Sequence, residues 1–193
     1  MGVEIYFATG NLHKLAEANS ILSEFGILLK PAPSQKIEIQ SDSLEEIARY
    51  AAEAAYRSLG SPLVVEDSGL FVESLNGFPG PYSSYVYKTI GCGGILRLLE
   101  DKCNRAARFE CVVVYAGGDS LRSFVGVANG SIAESPRGSG GFGFDPIFVC
   151  EGCGGRTFSE LRPSEKSAVS HRGRAFRALG EWISRSGREH TLK

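Results

Sequence analysis

Two adjacent carboxylates interrupt an apolar, β-branched run, Leu63-Val-Val-Glu66-Asp67-Ser68-Gly69-Leu-Phe71. Such a run reads as a buried strand. Two acids at its mouth are costly to desolvate unless something compensates them. A divalent cation is one compensation, because hard oxygen donors suit Mg²⁺ or Mn²⁺. The other reading is a solvated strand end followed by a turn at Gly69, and the stretch alone leaves both open.

Three more groups carry chemistry. Thr9-Gly10-Asn11-Leu12-His13-Lys14 follows a strand-like Glu4–Ala8 and precedes Leu15, Ala18, Leu22 and Phe25 at helical spacing, with Gly26 as a stop. Backbone N–H groups and the helix dipole favour an anion at such a junction. Plain capping by Thr9 or Asn11, with Lys14 on a solvated face, is the alternative. Lys166, His171 and Arg172 gather near the start of the last helical segment, either as a phosphate grip or as a solvated basic helix end. Gly138-Ser-Gly-Gly-Phe142-Gly143 matches G-x-G-x-x-G, but it leads into the strand-like, proline-containing Phe144-Asp145-Pro146-Ile-Phe-Val149. A dinucleotide fingerprint must follow a strand and open a helix, so that reading is excluded. Phe142 with Asp145 beside it suits stacking on a base and accepting from its edge. A glycine loop with Phe142 packed inward is the alternative.

The elements that position these groups are partly visible. Lys30–Gln40 reads as irregular, ending in the alternating Ile37-Glu38-Ile39-Gln40, whose Glu38 faces away from the isoleucines if extended. Ser43 opens a capping box with Glu46 and an alanine-rich helix through Ile47, Ala48, Ala51 and Ala55 to Gly60. Asn76–Ser84 is too rich in Gly and Pro for regular structure and reads as a functional loop. Gly94–Lys102 reads as a short helix. Arg108–Ala116 and Leu121–Ala128 form a hairpin through Gly117-Gly118-Asp119, slightly longer than a two-residue turn, with Ser131–Ser135 as a third antiparallel strand. No repeat or linker divides the chain, which reads as one bilobed domain over residues 1–193 with a frayed tail at 187–193.

Composition bounds the function. With 193 residues the chain can bury a sizeable core. Its 21 basic and 22 acidic residues give a net charge of −1, so no global field points to nucleic acid or a membrane. Any polyanion site must be locally basic. The start has no basic n-region and no apolar stretch approaches the roughly 20 residues of a span, so a cytoplasmic, soluble protein is expected. Five cysteines in such a chain are expected to be reduced thiols. Cys150 and Cys153 have the spacing of a redox pair or half a zinc site, but no second pair completes four ligands.

Taken together, Thr9–Lys14, Glu66–Leu70, Phe78–Ser84, Gly141–Phe148 and Ser170–Arg174 resemble the inosine triphosphate pyrophosphatases, enzymes that hydrolyse non-canonical purine nucleoside triphosphates. The similarity runs from residue 3 to about residue 184. It implies an α/β fold: an elongated mixed β-sheet flanked by helices, with two lobes around a central substrate cleft, as a homodimer. It also implies Mg²⁺-dependent conversion of ITP, dITP or XTP to the monophosphate and pyrophosphate, with Mn²⁺ as a substitute ion.

By that resemblance Thr9, Gly10, Asn11 and Lys14 hold the triphosphate, and Glu38 and Asp67 bind the metal. Asp67 is also the proton acceptor for the attacking water, and Ser68 touches substrate. Phe142, Gly143, Phe144 and Asp145 form the base pocket, which Lys166, His171 and Arg172 complete together with the phosphate grip. Glu66 receives no defined role. Many members follow the loop tyrosine with Ser-Ala-Arg, where this chain has Ser83-Ser84-Tyr85, so an arginine role there does not carry over. Two other readings stand beside it: a pyrophosphatase acting on dTTP or UTP, and a non-catalytic nucleotide-binding module.

Overall fold

Hydrophobic alternation and helical spacing resolve into one seven-stranded mixed sheet flanked by helices on both faces. The computed structural model describes residues 3–33, 37–118 and 120–191. Strand β1 (Val3–Phe7) leads through α1 (Leu12–Leu22) to β2 (Ile27–Pro31), and then through α2 (Leu44–Leu59) to β3 (Leu63–Val72). These three strands are parallel, in the order β2-β1-β3. Strand β2 received no reading over Ile27–Leu29, and its last two residues fall in the segment expected to be irregular from Lys30. It is a five-residue edge strand ending in Pro31 with only Ile27 and Leu29 buried, too short a signal to read locally. Residues 34–36 of that segment lie outside the described residues.

The second half is antiparallel. β5 (Ala106–Gly117) pairs along the whole of β3, and β6 (Ser120–Ile132) pairs along β5. The hairpin is tighter than expected, with only positions 118–119 between the strands; Asp119 itself lies outside the described residues. Ser131 and Ile132 belong to β6, and the next strand is β7 (Phe148–Cys150), so the expected strand at 131–135 is not formed. The Gly/Pro-rich stretch is also more regular than its composition suggests. It contains the short β4 (Pro79–Gly80), paired to β3, and opens α3 (Ser83–Thr89), followed by α4 (Gly91–Leu98) rather than a helix at 94–102. α5 (Pro163–Val169) and α6 (His171–Thr191) close the chain. α6 stays helical to Thr191, where a frayed tail was expected from residue 187; residues 192–193 lie outside the described residues.

Period-two alternation divides β3 between two layers. Leu63 and Val65 pack with the alanines of α2, whereas Val64 packs with α1 and α6. A third cluster, around Leu70, Phe109, Phe148 and Phe158, fills the far end of the sheet. Two close backbone approaches fix the layers. A Cβ on Gly126 would collide with the His171 carbonyl, so only glycine lets the start of α6 lie directly on β6. A Cβ on Gly69 would collide with the Gly80 carbonyl. Gly69 is therefore an interior strand residue against which β4 packs, and not the turn expected after Asp67. The capping box at Ser43 is half made: Ser43 Oγ accepts from the Glu46 N–H, while the Glu46 carboxylate turns to Ser41.

Candidate active site

Strand β1 stops pairing with β3 at Val64, and β4 begins only at Leu70. Among the described residues no strand covers Val65–Gly69 on that edge, and a cavity of about 1050 Å³ opens there. It lies beyond the carboxyl end of β1, the position where open α/β sheets bind ligands. It gathers Thr9, Gly10, Asn11 and Lys14 from the β1–α1 junction, Glu38 from the segment before α2, and Glu66, Asp67 and Ser68 from β3. Phe142, Gly143, Phe144 and Asp145 enter from the glycine loop, and His171 and Arg172 from α6. Every expected site residue except Lys166 lines this one space.

At the α1 start the capping alternative is realised. Thr9 Oγ1 accepts from the Asn11 N–H at 3.1 Å, and Asn11 Oδ1 accepts from His13 and Lys14 at 3.0 and 3.2 Å. The cap holds the Thr9–Lys14 turn in one shape at the cavity edge.

The acids of β3 lie inside the strand rather than at its end, and alternation sends them to opposite faces. Asp67 shares the α2 face with Val65, while Glu66 shares the α1 and α6 face with Val64. The Glu66 side chain is fully buried. It accepts from Arg172 Nε at 3.1 Å and Nη2 at 2.9 Å, a bidentate pairing, and lies 3.3 Å from Lys14 Nζ. Burial alone would raise its pKa, but the Arg172 and Lys14 charges hold it well below the ordinary carboxylate range. Glu66 is thus a permanent anion saturated by cations.

The network extends through a residue that the sequence reading missed. Glu17, on α1, accepts from Lys166 Nζ at 2.6 Å and from Arg172 Nη1 at 2.6 Å. One turn from Lys14, it looked like an ordinary acid on a helical face. Lys166 also donates to Asp145 Oδ2 at 2.7 Å, which places it behind the cavity wall. Burial raises the Asp145 pKa despite Lys166, whereas Glu17 is lowered by Arg172 and Lys166 against its own burial. Lys14, Lys166 and Arg172 therefore face Glu17, Glu66 and Asp145, three cations against three acids. The net-positive patch expected from the sequence is internally neutralised.

His171 is likewise no solvated cation. Its ring stacks on Phe109 at 4.6 Å and is only 3% exposed. Burial, reinforced by Arg172, pushes its pKa well below the usual imidazole range, so it is neutral. Phe144 packs into the core with its edge to Tyr87, whereas Phe142 stays half-buried at the cavity. Tyr87, Lys88 and Ser84 of α3 also reach the cavity, a wall that the Gly/Pro composition concealed. Cys150 and Cys153 are buried free thiols outside the cavity, and burial pushes Cys150 up to about 12.

Fold and site together define a mixed α/β cleft protein with a capped helix start, a strand carboxylate and an aromatic loop around one cavity. The chain belongs to the Ham1 family, whose sequence profile matches residues 5–182. It is 50% identical over 183 residues to the dITP/XTP pyrophosphatase of Hyperthermus butylicus, covering 95% of this chain and 96% of that protein. It is 52% identical over 182 residues to the dITP/XTP pyrophosphatase of Methanopyrus kandleri, covering 93% and 96%. Among solved structures, a HAM1 protein from Coxiella burnetii superposes with a TM-score of 0.84 at 34% identity, covering 95% of this chain and 99% of that one. The nucleoside-triphosphatase (dITP/XTP pyrophosphatase) from Mycobacterium abscessus gives 0.72 at 36% identity, covering 92% and 98%.

Proposed function

We propose that this protein is a nucleoside-triphosphate pyrophosphatase that clears ITP, dITP and XTP from the nucleotide pool. It cleaves the bond between the α- and β-phosphates, giving the monophosphate and pyrophosphate. The observation that carries this reading is the 50% identity, over nearly the whole of both chains, to a protein named for dITP and XTP. The cavity supplies a place for the reaction.

Glu38 and Asp67 offer hard oxygen donors on the same cavity, and the described residues hold no cluster of three or more His, Cys, Asp and Glu that could cage a metal. That donor set fits Mg²⁺, which takes one or two carboxylates and completes its shell with phosphate oxygens and water. Mn²⁺ suits the same donors. When bound, the ion neutralises phosphate charge and polarises the phosphoryl group. Asp67 orients a water toward the α-phosphorus and accepts its proton. The Thr9–Lys14 turn grips the phosphates and Ser68 touches the substrate. Phe142 stacks on the purine while Asp145, His171 and Arg172, backed by Lys166, shape its pocket. A pocket of fixed polar groups rejects a base that leaves them unpaired.

The protein acts as one domain, in the cytoplasm, as a homodimer. Among the described residues no helix is long and apolar enough to cross a membrane. Tyr82, Tyr85 and Ile90, exposed on and beside α3, offer an apolar face for a second copy. Light scattering at micromolar protein should give twice the subunit mass.

Pyrophosphate release measured with ITP, XTP, dITP, GTP, ATP and dTTP in Mg²⁺ tests the activity. Turnover is expected with the first three. Preference for dTTP would establish a different pyrophosphatase, and saturable ITP binding without hydrolysis would establish a binding module.

A further inference from the structure

Phe142 is held by contacts that the pocket reading does not use. Its backbone N–H donates to Asp145 Oδ2 at 2.8 Å, which fixes the peptide. Its neighbours Gly141 and Gly143 adopt left-handed conformations, at φ +71° and +63°, and carry no side chains to brace the ring. Lys166 Nζ stands 4.9 Å and Arg172 Cζ 5.3 Å from the ring centroid. A further brace is the imidazole of His13, in the first turn of α1, stacked at 5.5 Å with 22° between the planes. His13 is exposed and does not line the cavity, so it covers Phe142 from outside.

We propose that His13 is a positioning residue for base recognition: stacked on the outer face of Phe142, it holds the ring in one orientation, so that the opposite face is presented to a purine. This rests on the reading of Phe142 as the base-stacking wall. A phenyl ring between two glycines samples several rotamers, and ordering it on binding would subtract from affinity. An outer ring partner removes that cost beforehand. The benefit falls on ligands with a base and not on bare phosphates. Lys14 and His13 share one helical turn, so that turn grips the phosphates and steadies the base wall.

The test uses the full-length protein with Mg²⁺. KM and kcat for ITP are measured for His13→Ala, His13→Phe, Phe142→Ala and the double variant His13→Ala/Phe142→Ala, with inhibition by inorganic tripolyphosphate as the base-free probe. His13→Ala should raise KM for ITP about 3- to 10-fold, the range an aromatic pair carries. Its kcat should stay within about twofold and tripolyphosphate inhibition should not move. His13→Phe should restore KM, and the double variant should be no worse than Phe142→Ala. If Phe142→Ala raises KM and His13→Ala does not, the clamp is overturned and the stacking wall stands. Equal weakening of tripolyphosphate, or additive effects in the double variant, also overturns the clamp. A silent Phe142→Ala removes the stacking wall and the clamp with it.

Discussion

Glu66 and Asp67 are neighbours in the chain and opposites in the fold. Glu66 turns toward α1 and α6, where it is buried under Arg172 and Lys14 and joined through Arg172 to Glu17 and Lys166. Asp67 turns toward the α2 layer and borders the cavity with Glu38. One wall is a closed charge network whose cations and anions answer each other. The other presents the oxygen donors proposed to hold a metal beside the phosphate chain. Charge satisfied within the protein gives shape, whereas chemistry needs oxygen donors facing the cavity.

The largest effect should fall on the cavity wall. Asp67→Asn should lower pyrophosphate release by about 10³-fold or more, by removing the proposed base, while the melting temperature changes little. A variant with near-normal turnover would end the assignment. Glu66→Gln reverses the pattern. It leaves Arg172 buried opposite a neutral amide, a kind of loss that costs about 3–5 kcal/mol. Denaturant unfolding should show that loss, and unchanged stability would dissolve the distinction between the walls.

A smaller effect sharpens the picture of the network wall. His171 is neutral in the fold because burial depresses its pKa well below 6.5. The unfolded chain therefore binds the extra proton first, and stability should fall as pH drops below about 6.5, at up to about 1.4 kcal/mol per pH unit. The depressed Glu17 and Glu66 continue the loss below about pH 4.5. His171→Gln should flatten the upper part of that curve, and an unaltered slope there would assign it to another group. The smallest effect belongs to the helix cap: Asn11→Ala should cost about 1 kcal/mol of stability, visible as a modest shift in the unfolding midpoint. An unmoved midpoint would show that the cap is redundant.

Much of this arrangement was legible in one dimension. Helical spacing after Asn11, the alanine face of α2, the apolar run of β3 and the long hairpin are local patterns, and periodicity announces them. The cavity-lining residues were also visible in kind, since carboxylates in an apolar run and a phenylalanine among glycines are locally anomalous. The Gly/Pro stretch misled because turn-forming composition hid a two-residue strand and a helix start, both stabilised by docking on β3. β2 was missed because it is a five-residue edge strand that ends in Pro31, too short a pattern to read locally.

The sequence, then, determined which side chains are available for chemistry and which local elements carry them. Only the tertiary structure decided what each charge answers. Glu66 meets Arg172 across 106 residues of chain, and Glu17 meets Lys166 across 149. Local propensity holds no information about such pairs; they exist because α1, α5, α6 and β3 pack together. That packing set Lys14, Lys166 and Arg172 against Glu17, Glu66 and Asp145 in one network, and it separated two adjacent acids into a counter-ion and a candidate base.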